Sequence, residues 1–328
     1  MRLKRITWYQ LMEKWMIKSA VQRVLSWLPK SYYWNRLLQK YVTRNLVLSE
    51  PIFRNKLADC RTHLDFYTRL SSSPKSEFTA FELGIGTFPI VPIGLLLSGA
   101  KKVIAYDIAP VLEPFTLKQT LEWFDRSSKE GKLQGHLPGL RPEKLRCIGE
   151  ALAIVDRAPI QETLGKLNIE LVVGDARKTT LPAGSIDLSY STYVMEHIPA
   201  SIIQGLLTEA LRFCTPESVH SHLAGPSDQF SNDDRSINQY NYLRYTSAQW
   251  RWRNSPLIPQ TRYRVTDYRR IFNGAGFEIV EELLKRGTIE QLRSIPLAPE
   301  FQSYPEEDLL VYYAWFAARP VRKVPPSL

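Results

Sequence analysis

The sequence predicts an α/β fold built on a parallel sheet, and three observations carry that expectation. Phe78 to Asp107 reads as strand, glycine turn, helix, strand and acid, which is half of a nucleotide-binding βαβ unit. Further short apolar runs, at Ile169–Val173, Ile186–Tyr190 and Val219–Leu223, alternate with helix-sized segments. The last two runs, Phe277–Leu284 and Leu309–Ala318, are placed to pair antiparallel.

The stretch from Phe78 to Asp107 has a simple physical logic. Glycines at 84 and 86 let the backbone turn tightly and approach a ligand where a Cβ would collide. Asp107 stands 21 residues after Gly86, where a carboxylate at a strand tip can accept hydrogen bonds from a ribose diol. The third glycine of a dinucleotide fingerprint is missing, since Thr87, Phe88 and Pro89 follow Gly86. A pyrophosphate needs that close helix approach; a nucleoside sulfonium does not.

In chain order, residues 1–28 read as an amphipathic helix, with Trp8, Leu11, Met12, Trp15, Val21 and Leu25 near helical spacing among Lys and Arg. Such a helix either lies on a membrane surface or packs on the domain with its lysines in solvent. Tyr32, Tyr33 and Trp34 form an aromatic cluster, and Leu37–Leu48 reads as a second basic helix. Ile52–Leu70 is predicted as a helix that leads to the core, and His63 and Asp65 on it are read as surface residues. Ser71–Ser76 is a linker. Residues 109–167 are too long for one crossover helix. They read as an insertion with a helix at Leu117–Arg126, a loop at Lys129–Arg141 and a short element within Glu143–Asp156, and it is expected over the substrate cleft. Ala200–Phe213 is a helix. Tyr240–Trp252 is expected as a helix with a loop at the site mouth, and Thr266–Ala275 as a helix capped by Thr266. The unit boundaries follow: a helical extension over 1–70, the main domain over 77–320, and a loose tail over 321–328.

Four ordered pieces now combine: Glu82-Leu83-Gly84-Ile85-Gly86-Thr87, Asp107, Val173-Gly174-Asp175-Ala176, and Ser191-Thr192-Tyr193-Val194-Met195-Glu196-His197-Ile198-Pro199 after the turn at Leu181–Ser185. Together they resemble a class I S-adenosylmethionine-dependent methyltransferase. The resemblance implies a Rossmann-like seven-stranded sheet with an antiparallel last strand. It implies methyl transfer from S-adenosyl-L-methionine, bound by Glu82, Gly84, Gly86, Thr87, Asp107, Ile108, Asp175, Ala176 and Tyr193, with Asp175 on the adenine amino group. Ser221-His222, Asp228-Gln229-Phe230, Tyr240–Tyr245, Trp250 and Arg262–Tyr268 resemble a group of methyltransferases encoded with polysaccharide and glycolipid biosynthesis enzymes. The chain departs from that pattern at Gly225, where an acid is usual, and at Gln229, where a histidine is usual.

The chemistry asks for an acceptor aligned with the methyl group and, for an alcohol, a base. His197, His222 and Asp228 are the titratable candidates near the strand ends. Arg244 and Arg264 can hold an acceptor phosphate or carboxylate, or pair with surface acids. Ser191-Thr192-Tyr193-Val194 differs from the proline-rich motif of transfer to exocyclic amines of DNA, and there is no Pro-Cys nucleophile for C5 transfer to cytosine. The expected acceptor is a sugar, glycan or lipid-linked molecule, with small-molecule or RNA methylation and a non-catalytic scaffold as alternatives.

Composition narrows the setting. Apolar content of 44% and charged content of 23% describe a soluble globular chain. Cys60, Cys147 and Cys214 are widely spaced and form neither a metal site nor a disulfide framework. Residues 1–50 hold ten Lys and Arg against Glu13 and Glu50, which is +8 of the net +10. That localised excess points to a partner for this segment. A cytoplasmic enzyme with peripheral contact to the inner membrane face through residues 1–50 is the expectation, without DNA as a partner.

Overall fold

The computed structural model describes residues 14–27 and 46–321. The expected elements at Trp8–Met12, Tyr32–Trp34 and most of Leu37–Leu48, and nearly all of the tail, lie outside the described residues.

Seven strands form one sheet: β1 (Phe78–Leu83), β2 (Ala100–Asp107), β3 (Ile169–Val173), β4 (Ile186–Thr192), β5 (Cys214–Ala224), β6 (Phe277–Arg286) and β7 (Val311–Pro320). Their order is β3-β2-β1-β4-β5-β7-β6. The first five run parallel, and β7 is antiparallel to both β5 and β6. Seven strands with an antiparallel last strand are what the resemblance implied. The order reverses between β1 and β4, so a crevice opens at their carboxyl ends. There Leu83 is level with Tyr106 on one side and Ser191 on the other.

Central strands buried on both faces read as apolar runs, and β1 is buried over Phe78–Glu82. Helices α1 (Lys14–Ser26), α2 (Glu50–Leu70) and α3 (Ile90–Leu97) precede β2 or flank it. Every residue of α3 is buried, and Pro92 is tolerated because it falls in the first turn, where its missing N–H has no intrahelical partner. Residues between β2 and β3 form α4 (Pro114–Lys129), α5 (Arg146–Leu152) and α6 (Ile160–Lys166). They pack with α2 and α3 in one core, where Phe53 meets Trp123 and Phe124. This corrects the expected insertion over the cleft: residues 112–167 line neither of the two main hollows described below. A second core beneath the other face takes α7 (Ala200–Phe213) and α9 (Val265–Gly274). The cap of α9 also differs from expectation. Arg264, not Thr266, stands at the N-cap, and Asp267 accepts from its backbone N–H at 2.9 Å.

The aromatic segment after residue 240 forms a short 3-10 turn (Asn241–Arg244) and α8 (Ser247–Arg253). Its rings do not line the site mouth as expected. Tyr240, Tyr242, Tyr245 and Trp250 are buried in a satellite core that also takes Trp15 from α1. Trp15 lies 5.3 Å from Phe230 and 5.9 Å from Tyr245, and its backbone N–H donates to Asp234. The inward stripe of α1 is therefore Trp15, Ser19 and Gln22. The described part of the N-terminal helix packs on the domain. Among the described residues, no helix is long and apolar enough to cross a membrane.

Candidate active site

The crevice at the β1/β4 reversal is a cleft of about 730 Å³. Gly84 and Gly86 carry left-handed backbone, with φ of 79° and 67°. A Cβ on Gly84 would stand 2.7 Å from Val194 Cγ2, so only glycine fits between the loop after β1 and the loop after β4. Asp107 lies at the end of β2. Burial raises its carboxyl pKa, and the backbone amides of Ala109, Gly86, Ile108 and Ile85 oppose that rise. Asp175 follows β3 and is gripped by the Arg177 guanidinium at 2.6 to 3.0 Å, which holds its carboxyl down at about 2. Apolar walls come from Tyr106, Val111, Ile198, Ile202, Leu257 and Ile258. Ile108 stands at the rim, 78% exposed.

On the far side of the glycine loop is a recess of about 260 Å³, bounded by α2. Gly84, Gly86, Thr87 and Thr192 line both the recess and the cleft. Glu82 opens into the recess. It is 3% exposed, and burial pushes its carboxyl pKa up to about 8 against the pull of Lys56 and of the Tyr190 hydroxyl.

A second cleft, of about 1100 Å³, lies between α2 and the β6/β7 edge. Ile52 and Lys56 line it together with the recess, and Tyr193 lines it together with the first cleft. Tyr193 is thus the wall between the two large hollows. Its φ of 57° is left-handed, at a cost of about 1–2 kcal/mol for a residue with a Cβ. Its backbone N–H donates to Leu223 at 2.8 Å. Gly225 has no Cβ where one would lie 3.3 Å from the Tyr193 ring and 3.2 Å from Glu196 Oε1. Glu196, 2% exposed, accepts from the Gly225 N–H. The departure at Gly225 thus coincides with a buried acid from the β4 loop.

Asp59 faces this second cleft from α2, its side chain 13% exposed. Burial raises its pKa to about 6, opposed by Lys56 and Lys285. Tyr193, Tyr312 and Tyr313 form an aromatic wall, and the Lys285 ammonium sits 4.4 Å from the Tyr313 ring centroid. Burial holds the Tyr193 and Tyr313 hydroxyls above their usual range, so they stay protonated donors.

The nine residues expected at the cofactor all line these hollows: eight line the first cleft, and Glu82 lines the recess. The three catalytic expectations separate. His197 lines the cleft, but its Nδ1 is 2.7 Å from the Pro259 carbonyl and its Nε2 3.1 Å from Gln229 Nε2. Nδ1–H therefore donates to the carbonyl and Nε2 accepts from the amide, so the ring positions the wall at Leu257–Pro259. His222 lies in the core, 3% exposed, with Nδ1 2.9 Å from Ser191 Oγ, and burial lowers its pKa to about 3. Asp228 is fully buried and accepts from the Phe230 N–H and Asn241 Nδ2. Neither lines a cleft. His63, read as a surface residue, is instead fully buried against Ser221 and Thr192 between the rings of Tyr190 and Trp315. Asp65 is exposed and pairs with Arg69.

Lys56 and Asp59 were missed. Ile52, Lys56, Asp59 and Thr62 recur at three- and four-residue spacing, a half-polar stripe beside the buried one, and that periodicity was the available signal. Among the described residues, no cluster of three or more His, Cys, Asp or Glu could hold a metal.

No family model matches the chain, and no curated protein matches it. Among solved structures it is similar to a methyltransferase from Bacillus halodurans C-125, at 15% identity over 80% of this chain and 100% of that one, with a TM-score of 0.41. It is also similar to a SAM-dependent methyltransferase from Methanosarcina mazei, at 12% identity over 76% and 95%, TM-score 0.42. A third is geranyl diphosphate C-methyltransferase from Streptomyces coelicolor A3(2), at 11% identity over 79% and 80%, TM-score 0.41. Likeness at this level leaves the reading of the site to its own geometry.

Proposed function

We propose that the protein is an S-adenosylmethionine-dependent O-methyltransferase. One observation carries the reading: a left-handed glycine loop, Asp107 and Asp175 converge on one cleft at the sheet's reversal, next to the buried Glu82 carboxylate. The residues fit the cofactor. Asp107 takes the ribose diol, Asp175 and the Ala176 backbone take the adenine edge, Ile108 covers the base, and Glu82 takes the α-ammonium. Bound S-adenosylmethionine supplies an electrophilic methyl group on sulfur. The acceptor lies in the second cleft across Tyr193, and Asp59 takes its hydroxyl proton as the oxygen gains the methyl group. Tyrosine walls with Asp, Asn and Thr suit a hydroxyl-rich ring, in keeping with a saccharide or a lipid-linked glycan.

Calorimetry with S-adenosylmethionine tests the cofactor reading through its pH dependence. Glu82 is protonated at pH 7 because its pKa is near 8, and an ammonium ligand favours the ionised form. Binding therefore expels a proton, and affinity rises from pH 6 toward 8. The ligand's own amine, near 7.7–8.0 by reference, titrates in the same range. Comparison with Glu82→Gln removes that common effect. The ratio of variant to wild-type Kd should be near one at pH 6 and reach about tenfold at pH 8.5. A ratio that stays flat, or wild-type protein that does not bind, counts against the reading.

The N-terminal segment supports a peripheral membrane role. Outside its inward stripe, α1 presents Val21 and Val24, the turn after it presents Trp27, 74% exposed, and α8 presents Trp252, 72% exposed. The Arg23 guanidinium lies 5.5 Å from the Trp252 ring. Exposed tryptophan beside arginine suits the headgroup boundary of an anionic bilayer. In flotation, wild-type protein should rise with anionic vesicles and stay behind with neutral ones, and Trp27→Ala/Trp252→Ala should lose most of the floated fraction. Equal flotation of the double variant would remove this role.

A further inference from the structure

The recess behind the glycine loop holds a carboxylate and an ammonium that do not bond each other. Glu82 Oε2 is buried near the Tyr190 hydroxyl and takes no hydrogen bond from a cation among the described residues. Lys56, on α2, makes no hydrogen bond among the described residues. Its nearest carboxylate oxygen, Asp59 Oδ2, is 3.9 Å away, and its ammonium sits 5.2 Å from the Tyr193 ring centroid. The charges that act on it are Asp59, Glu82 and Glu196, all carboxylates.

We propose that Lys56 is a cofactor-binding residue that takes the α-carboxylate of the nucleoside sulfonium, with Glu82 taking the α-ammonium, so that the recess is a zwitterion site. The inference rests on the reading of the first cleft as the S-adenosylmethionine site. Size assigns the two ends of such a ligand. The nucleoside needs the cleft of about 730 Å³, and the recess of about 260 Å³ suits only a short chain. Gly84, Gly86, Thr87 and Thr192 border both, so one molecule can run from one to the other past the glycine loop. At Gly86 no heavy atom lies within 4 Å of where a Cβ would stand, so the loop is open there. A mere counter-ion to Glu82 would be expected to donate to its Oε2, and Lys56 does not. Because Lys56 also lines the second cleft, the same side chain marks the boundary between donor and acceptor.

Two ligands separate this role from a structural one. S-adenosylhomocysteine carries the amino-acid end, and 5′-methylthioadenosine lacks it. Calorimetry on the full chain should find Lys56→Met about tenfold or more weaker for S-adenosylhomocysteine, with 5′-methylthioadenosine unchanged. Lys56→Arg should recover much of the loss, since it keeps the charge. Unchanged S-adenosylhomocysteine affinity in Lys56→Met overturns the proposal, as does an equal loss for both ligands, which would mark a folding defect. Wild-type protein that binds neither ligand overturns the cofactor reading itself, and this inference with it. Wild-type protein that binds both with equal affinity overturns the zwitterion site alone.

Discussion

Asp59→Asn should lower methyl transfer by about 10² to 10⁴, the range expected for loss of a positioned general base, while S-adenosylhomocysteine binds as before. Three features single out Asp59. It faces the second cleft, its side chain is 13% exposed, and burial holds its pKa near 6. A carboxyl at its ordinary value would be a weaker base for a hydroxyl proton, and one far above neutrality would be protonated already. The sign of the pH effect follows. Asp59 acts as the carboxylate, so kcat/KM rises with pH through about 6 and levels above it. In the Asn variant that acid limb disappears and the residual rate is flat. Transfer measured from labelled S-adenosylmethionine into fractionated glycan and lipid extracts gives the readout. A variant that keeps both the rate and the limb would remove Asp59 from the chemistry.

The contrast between Asp59 and the residues proposed to hold the cofactor shows what the sequence could carry. Gly84, Gly86, Asp107, Asp175 and Tyr193 lie on strand ends and the turns that leave them. Their positions follow from local geometry: a strand must end, the chain must turn, and the register of a parallel sheet brings the tips together. Lys56 and Asp59 depend on something else, the rotation of α2 about its own axis. The apolar positions Phe53, Leu57, Cys60 and Leu64 mark its buried side correctly. They do not say that the adjoining stripe meets a cleft and not solvent, because that depends on the distant β6/β7 edge.

Histidine misled for a related reason. His222 lies beside the site in sequence, two strand residues before Ala224, yet a strand alternates its faces. Its ring is turned into the core, as His63 is from the opposite side, and both rings bond hydroxyls on neighbouring strands. Proximity along the chain could not reveal which face they take. The same holds for Trp15, an apolar residue on a basic helix that could suit lipid or protein. Only the satellite core of Phe230 and Tyr245 decides it.

Arg264 is the sharpest case of a residue whose role is invisible in sequence, and its loss should have the largest effect on stability. Read as an acceptor ligand or a surface partner, it is fully buried. Its guanidinium donates to the carbonyls of Pro226 at 2.9 Å, Asp308 at 3.2 Å, Leu309 at 3.1 Å and Val311, and to the Tyr242 hydroxyl at 2.8 Å. One planar group thereby joins the loop after β5, the satellite core and the start of β7. The Asp308 carboxylate accepts from the Val265 and Thr266 amides, so the same neighbourhood also closes the first turn of α9. Arg264→Met keeps most of the side-chain volume and leaves those carbonyls unpaired in the interior. Bonds to a charged donor contribute about 1.5–3 kcal/mol each but do not add, so a loss of about 4 kcal/mol is expected. Lysine should recover little, because a single ammonium cannot span acceptors set for a fork. Urea unfolding is the measurement: a lower midpoint at unchanged slope reports lost stability without a change in the surface exposed. A fall of less than about 1 kcal/mol would mean that water reaches these carbonyls. Pro226 follows Gly225, whose N–H meets Glu196 under Tyr193. The variant should therefore also loosen the wall between the two clefts, lowering transfer more than it lowers S-adenosylhomocysteine affinity.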